Sequence, residues 1–549
     1  MKNRSFFLSK KMFSVLMLGM LPLGVALADG NIRVGGASLN GGVPAANARS
    51  GHPDNVLPAN FSLELIAQGL DPLENPSGLL THFGYLGDQA VRPVEPTKTE
   101  PDENTYLILD HNPGGPEAGY DYGRHFLFQG HENSGDLAYI TRINLDVASP
   151  DHHITLLTPV GADGKTHFNS IDGSTFDPFS KTLLFSQEAG ASGGIIELSP
   201  DFGSPARTLY GIMGHGGYEG IHPDDQGNIF IVEDSGGTSV GIDPNDATSP
   251  KVAKLPNSYV YRFVPVNPAN LSAGGVLQAL QVRVDGAPVT FVPIDTTNPS
   301  GDVFSATQLK LHTVDQSWPT TWVKVHDTAT DGFAEFNANA LARAAGATPF
   351  KRPENGQFQP GSGFRTFFFD VTGDTDARAG AVPALAARGA WGGIFRLTLD
   401  HIRTTGMLSL VFLGDADHAA FDNLTFASRN VLLATEDRGD SLHRQLNKLD
   451  SIWAFDTTGH ASPQRLLALG RDKASEIDVA LGEASTPGFQ NEGDNEPTGL
   501  HVSDGAAGIT GLVGRREPSD DSLIFFTQQH GENNVYIVIP LAGKEHDRD

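Results

Sequence analysis

The chain of 549 residues contains no cysteine. It can form no disulfide, lend no thiolate to a metal and supply no cysteine nucleophile. Beyond residue 28 no apolar run is long enough to cross a bilayer. GxxxxGKS/T and HExxH are also missing, so no phosphate-cradling loop or zinc helix is legible. Positive charge is scarce, with 38 Lys and Arg against 65 Asp and Glu and a formal net charge of −27. That sign repels nucleic acid and anionic membrane and attracts cations.

The first 28 residues stand apart. A basic start, "MKNRSFFLSKK", leads into the apolar "MFSVLMLGMLPLGV" and then "ALA" before Asp29. This is the pattern of a secretory signal peptide, and the twin-arginine pair is lacking. Its loss removes Lys2, Arg4, Lys10 and Lys11 and no acid, which takes the net charge to −31. The expected product is periplasmic or secreted, monomeric, and free of nucleic-acid or membrane partners.

What the chain has in quantity is glycine, proline and one recurring phrase. Gly 63 and Pro 35 suit many short strands joined by turns. Residues 29–58 lack periodicity and are expected to be loose. From there to about 545 a turn, an apolar strand, acids and a second apolar strand recur, as in "RHFLFQGHENSG", "STFDPFSKTLLFSQEAG", "GIHPDDQGNIFIVEDSGG", "FDNLTFASRNVLLATEDRGD" and "TGLHVSDG…DSLIFFTQQHG". Each reads as two strands around a tight turn. A repeated multi-strand unit in a chain of this size predicts an all-β propeller, with six blades the expected count. A jelly roll or sandwich is the rival, but one sandwich needs no fivefold phrase. An irregular insertion is expected over about 268–350, and "FAEFNANALARAAGATPFKRPEN" (333–355) carries a helix stopped by Gly346 and Pro349.

The acids at strand ends are the chemical signal: Glu132, Glu188, Glu219, Glu233 with Asp234, Glu354, Asp422, Glu436 with Asp437, and Glu496. Singly each reads as a solvated loop residue. Recurring at one point of successive blades, they would meet at the axis and repel one another unless cations lay between them. Carboxylate oxygens suit calcium, magnesium, manganese or ferric iron. Arg352 and Arg438 are the basic residues placed to meet an anion, with Lys351 nearby, and His131 beside Glu132 reads as a hydrogen-bonding residue.

At these residues the chain resembles the PhoX-type alkaline phosphatases. "GHEN", "GGYEGIHPDDQGNIFIVEDSGG…SYVYRFVP", "ALARAAGATPFKRPEN", "FDNL…VLLATEDRGD" and "NEPTGLHVSDG…LIFFTQQHG" match that family's motifs in order. The resemblance implies a six-bladed propeller with an axial iron–calcium cluster that cleaves phosphate monoesters outside the cytoplasm. It implies Glu219, Glu354 and the acids of "ATEDRGD" as cluster ligands, with Glu132 and Glu188 lining the site. The family's iron is held partly by cysteine in a "TCEE"-like element; here "FSQEAG" puts Gln187 there, so calcium is the expected metal and iron is disfavoured. Tyr218 also replaces a histidine expected before Glu219.

The leading expectation is metal-assisted hydrolysis of a small phosphate ester, with Arg352 or Arg438 assisting as catalytic residues. Two others stay open: a calcium-stapled binding propeller without catalysis, and a calcium-dependent propeller hydrolase of lactones or phytate.

Overall fold

The computed structural model describes residues 31–541 apart from 41, 48–53, 79, 85–98, 134, 148, 471–495, 519 and 531. The leader expected at 1–28 lies outside the described residues.

Four of the five phrases fold as two antiparallel strands joined by a turn or loop, with two further strands completing a four-stranded meander, whereas "RHFLFQGHENSG" supplies only the second strand of its blade, His125–Glu132. Blade 1 comprises Glu100–Ile108, His125–Glu132, Tyr139–Asn144 and Ile154–Leu156. Blade 2 comprises Ile171–Asp177, Thr182–Gln187, Gly194–Leu198 and Arg207–Thr208. Blade 5 comprises Phe421–Ser428, Val431–Glu436, Ser451–Asp456 and Gln464–Ala468. Blade 6 takes Glu496–Ser503, Leu523–Gln529 and Asn534–Pro540, and its outer strand, Phe61–Ala67, comes from the other end of the chain.

A ten-stranded sheet contains two more meanders. Blade 3 is Tyr218–Pro223, Ile229–Glu233, Val260–Pro265 and Gly275–Val284; blade 4 is Gly356–Phe358, Thr366–Val371, Gly393–Leu399 and Thr405–Leu413. Between them Ser317–Asp327 pairs with both outer strands and fuses the blades. The stretch 268–350 therefore holds an outer strand and this bridge, as well as the short helix Ala338–Ala344 capped by the Asn337 side chain.

The first strands of the six meanders touch in chain order, and the sixth touches the first, which closes a propeller ring. Every blade is covered on both faces, so its second strand reads as a near-continuous apolar run rather than an alternation. Side-chain alternation still assigns each residue to one gap. Leu183 and Phe185 face blade 1 while Leu184 faces blade 3. Phe367 and Phe369 face blade 3 while Phe368 faces blade 5. The gaps between blades 5 and 6 and between 6 and 1 are filled in the same way, around Phe526 and Phe525 respectively. The hairpin Arg33–Val34 with Ala37–Ser38 adds Ile32, Val34, Ala37 and Leu39 to the former.

Near the axis the backbones converge. A Cβ on Gly173 would stand 2.1 Å from the Glu219 carbonyl oxygen, and one on Gly220 2.8 Å from the Asn355 Cα. No side chain fits between blades there. Gly173→Ala is therefore expected to cost about 1–3 kcal/mol as overpacking against backbone, read as a lowered midpoint in urea.

Candidate metal centre

Strand pairing places one residue of each inner strand at the same height: Asp102, Asp172, Glu219, Glu354, Asp422 and Thr498. In blades 1, 2, 3 and 5 the ladder slips at this point, so that the acid and the residue after it oppose a single partner. Such a bulge bends the strand and re-aims its side chains. Here it swings the carboxylate toward the axis. Blade 6 slips one residue later, and in blade 4 Glu354 stands just ahead of a regular three-residue strand. Two residues before the acid, Ser170, Arg352 and Ala420 hold φ of 40°, 56° and 56°, so the lead-in turn repeats as well. Non-glycine residues adopt that region at a cost and persist there when surrounding structure enforces it.

A second set comes from the ends of the neighbouring strands. Glu132 pairs with Glu100, and the amides of Glu188, Thr372 and Asp437 bond to the carbonyls of Ser170, Arg352 and Ala420. Asp234 and Gln529 hold the matching places in blades 3 and 6. Nine carboxylates thus face one hollow: Asp102, Asp172, Glu219, Glu354 and Asp422 from the inner strands, and Glu132, Glu188, Asp234 and Asp437 from the second. The three neutral members serve the acids. Thr498 and Gln529 donate to Asp102, the latter at 2.9 Å, and Thr372 donates to Glu354.

Strand alternation separates the paired acids. A one-residue step reverses the side chain, so only one of each pair can face the axis. Asp234 does, while Glu233 turns into the blade and accepts bonds from the Tyr261 hydroxyl (2.9 Å), the Tyr259 amide (3.1 Å) and Asn339 (3.0 Å). Asp437 does, while Glu436 is buried against Arg438 at 2.5 Å and the Ala419 amide at 3.1 Å. Glu496 opens the blade 6 inner strand opposite Gln529, two residues ahead of the axial Thr498.

The hollow is electrostatically loaded. Oxygens of Asp102, Glu132 and Asp172 lie within 4.8 Å of one another. Burial, joined by the charges of neighbouring acids, drives Glu132, Asp172, Glu188, Glu219 and Asp422 well above the usual carboxylate range. Burial also pushes Asp102 up to about 7 and Glu354 to about 8. Glu354 is among the neighbours that raise Glu219, and Asp234 among those that raise Glu188. Asp172 Oδ1, Glu219 Oε2 and Asp234 Oδ1 are buried with no hydrogen-bond partner. An all-oxygen, anionic donor set with unpartnered lone pairs fits calcium, magnesium or manganese, and it contains neither thiolate nor imidazole.

Among the described residues, Arg352 is the cation of the hollow. Its Nε and Nη2 both reach Asp234 at 2.8 Å, and Nη2 lies 3.3 Å from Glu354. The side chain remains 23% exposed, which leaves it open to an anion at the mouth. Lys351 is committed elsewhere, to the buried Asp374 at 2.7 Å, and that pair anchors the loop carrying Arg352. Arg438 is withdrawn from the axis. It is held by Glu436 and the Asp417 carbonyl and is fully buried. Arg438→Ala would leave Glu436 charged and unpaired, and is expected to cost about 3–5 kcal/mol of folding stability.

Gln187 also points away from the axis: its amide donates to the Asn169 carbonyl (2.8 Å) and accepts from the Tyr210 hydroxyl (2.5 Å). Tyr218 bonds to the Met213 carbonyl at 2.7 Å, and His131 is held between Thr99 and Thr141. Asp102 and Asp172 were missed from sequence. The signal was present, since "PDEN", "IDGS", "YEGI", "PENG" and "FDNL" align once the bulge is the reference point.

Residues 254–509 match the family described as alkaline phosphatase PhoX. Among solved structures, a PhoX from Pseudomonas fluorescens, determined with the transition-state analogue vanadate, has the same fold with a TM-score of 0.53. Identity to it is 11%, over 91% of this chain and 97% of that one. A gluconolactonase from Xanthomonas campestris aligns at a TM-score of 0.35 and 10% identity, over 90% and 97% of the two chains. No curated protein matches by sequence. The segment 254–509, just under half of the chain, is thus similar to the PhoX alkaline phosphatases, a family of phosphoric ester hydrolases.

Proposed function

We propose that the protein is an exported, metal-dependent phosphatase that hydrolyses small phosphate monoesters in the axial hollow. The observation that carries the reading is the repetition of an inward carboxylate at one structural position in five blades, in a chain with a phosphatase family match. Asp102, Asp172, Glu219, Glu354 and Asp422, with Glu132, Glu188, Asp234 and Asp437, hold hard divalent cations, calcium first. Such ions supply Lewis acidity and neutralise phosphoryl charge. Arg352, clamped by Asp234 and Glu354, meets a non-bridging phosphoryl oxygen, and its fixed guanidinium needs no reorganisation as charge develops there. Arg438 takes no part. The leader at 1–28 directs export, with the mature chain starting at Asp29.

The test is hydrolysis of p-nitrophenyl phosphate by the mature protein before and after chelation. Activity lost on chelation and regained with calcium supports the reading. Turnover absent under calcium, magnesium, manganese and ferric iron defeats it, and calcium binding without turnover would identify a stapled binding module. Arg352→Ala is expected to lower kcat/KM about 100- to 1,000-fold, the range for losing one preorganised donor to a transition-state oxyanion.

A further inference from the structure

Below the carboxylates the axis carries a second, uncharged layer. Three residues beyond each axial position the inner strands present Thr105, Thr175, His222, Gln357, Thr425 and His501. All but Thr105 line a cavity whose wall also includes Glu103 and Asn104, with room for roughly one or two waters or a single ion.

Three buried atoms of the lining residues have no hydrogen-bond partner: Asn104 Oδ1, Thr425 Oγ1 and His501 Nε2. They come from blades 1, 5 and 6, so one occupant of the cavity could serve all three. His222 donates from Nε2 to Asn355 Oδ1 at 3.2 Å, which places the lone pair of the neutral ring on Nδ1. Glu103, in the cavity wall, is fixed by the Ser174 amide at 2.7 Å and by Asn355. Burial keeps both imidazoles neutral, which is the form that binds metals.

We infer that this cavity binds one divalent cation of the imidazole-preferring first-row class, such as zinc, cobalt or nickel, through His501 and His222 with Asn104 and Thr425. The acids above contain no nitrogen donor, so the two sites select different ions. A single water donates only two hydrogen bonds, too few to answer every lone pair that Asn104, Thr425 and His501 leave unpartnered at the cavity. The inference is independent of the phosphatase reading, since it concerns only the layer beneath the acids.

The test loads the mature protein with saturating calcium and titrates cobalt(II), following visible d–d absorption and heat. One equivalent of cobalt is expected in the wild type, with at least tenfold weaker binding in His501→Ala. No cobalt uptake over calcium-loaded protein, or equal uptake by His501→Ala, would overturn it. Should His501→Ala fail to fold, zinc-edge X-ray absorption on the wild type decides: imidazole scattering supports the site, and an all-oxygen shell rejects it.

Discussion

Stripping divalent ions from the protein is expected to lower its melting temperature by about 5–10 °C, and the loss should deepen as pH rises. Binding to the folded state alone contributes about 4 kcal/mol per site at a thousandfold excess over Kd, and each kcal/mol moves Tm by roughly 1–2 °C in a chain this long. The pH trend follows from the acids. In the ion-free fold burial raises Asp102 to about 7 and Glu354 to about 8, and also raises Glu219 and Asp172 well above the values near 4 of an unfolded chain. The folded state then holds protons that the unfolded state has released. Stability is fully present below about pH 4 and is lost as pH climbs through 7 and 8. With calcium present the slope should reverse, because the ion requires deprotonated ligands. Calorimetric scans at pH 5 and pH 9, each with calcium and with chelator, measure both signs. Equal melting temperatures in all four would contradict the electrostatic reading.

The second large effect separates neighbours in sequence. Asp234→Asn should remove a carboxylate from the hollow and release the clamp on Arg352, lowering ion content and cutting kcat/KM by 100-fold or more. Glu233→Gln, one residue earlier, should leave ion content and KM near wild type. It disturbs a carboxylate that accepts from Tyr259, Tyr261 and Asn339, so its loss appears as about 1–3 kcal/mol of stability. Asp437→Asn and Glu436→Gln should repeat the contrast in blade 5. Elemental mass spectrometry and urea melts on the four variants suffice, and Glu233→Gln depleting the ions while Asp234→Asn spared them would reverse the assignment.

The propeller was legible because its strands carry periodic apolar runs between turn residues. "TLLFSQ", "IFIVE" and "LIFFTQQ", short and bounded by turn residues, suit strands covered on both faces. The ten-stranded fusion was not legible, since Ser317–Asp327 has no turn signal relating it to blades 3 and 4. At the site, Glu132, Glu188, Glu219, Glu354, Asp422 and Asp437 were read from strand-end position, and the structure brings their side chains to one hollow. Position alone could not tell Asp234 from Glu233, or Asp437 from Glu436, because the choice is made by side-chain parity at the last ladder pair. Nor could it find Asp102 and Asp172, whose direction depends on a bulge that no single residue type announces. Arg438 misled for a related reason: next to an axial acid in sequence, it points with Glu436 into the blade.

Anomalous diffraction from crystals soaked in manganese(II), an oxygen-preferring ion, would locate the ions directly. Peaks are expected on the propeller axis within coordination distance of Glu219, Glu354 and Asp172, with Asp234 and Asp437 adjoining and Glu233 and Glu436 remote. A hollow without any peak, its acids turned out to solvent, would contradict the assignment of these residues as ion ligands.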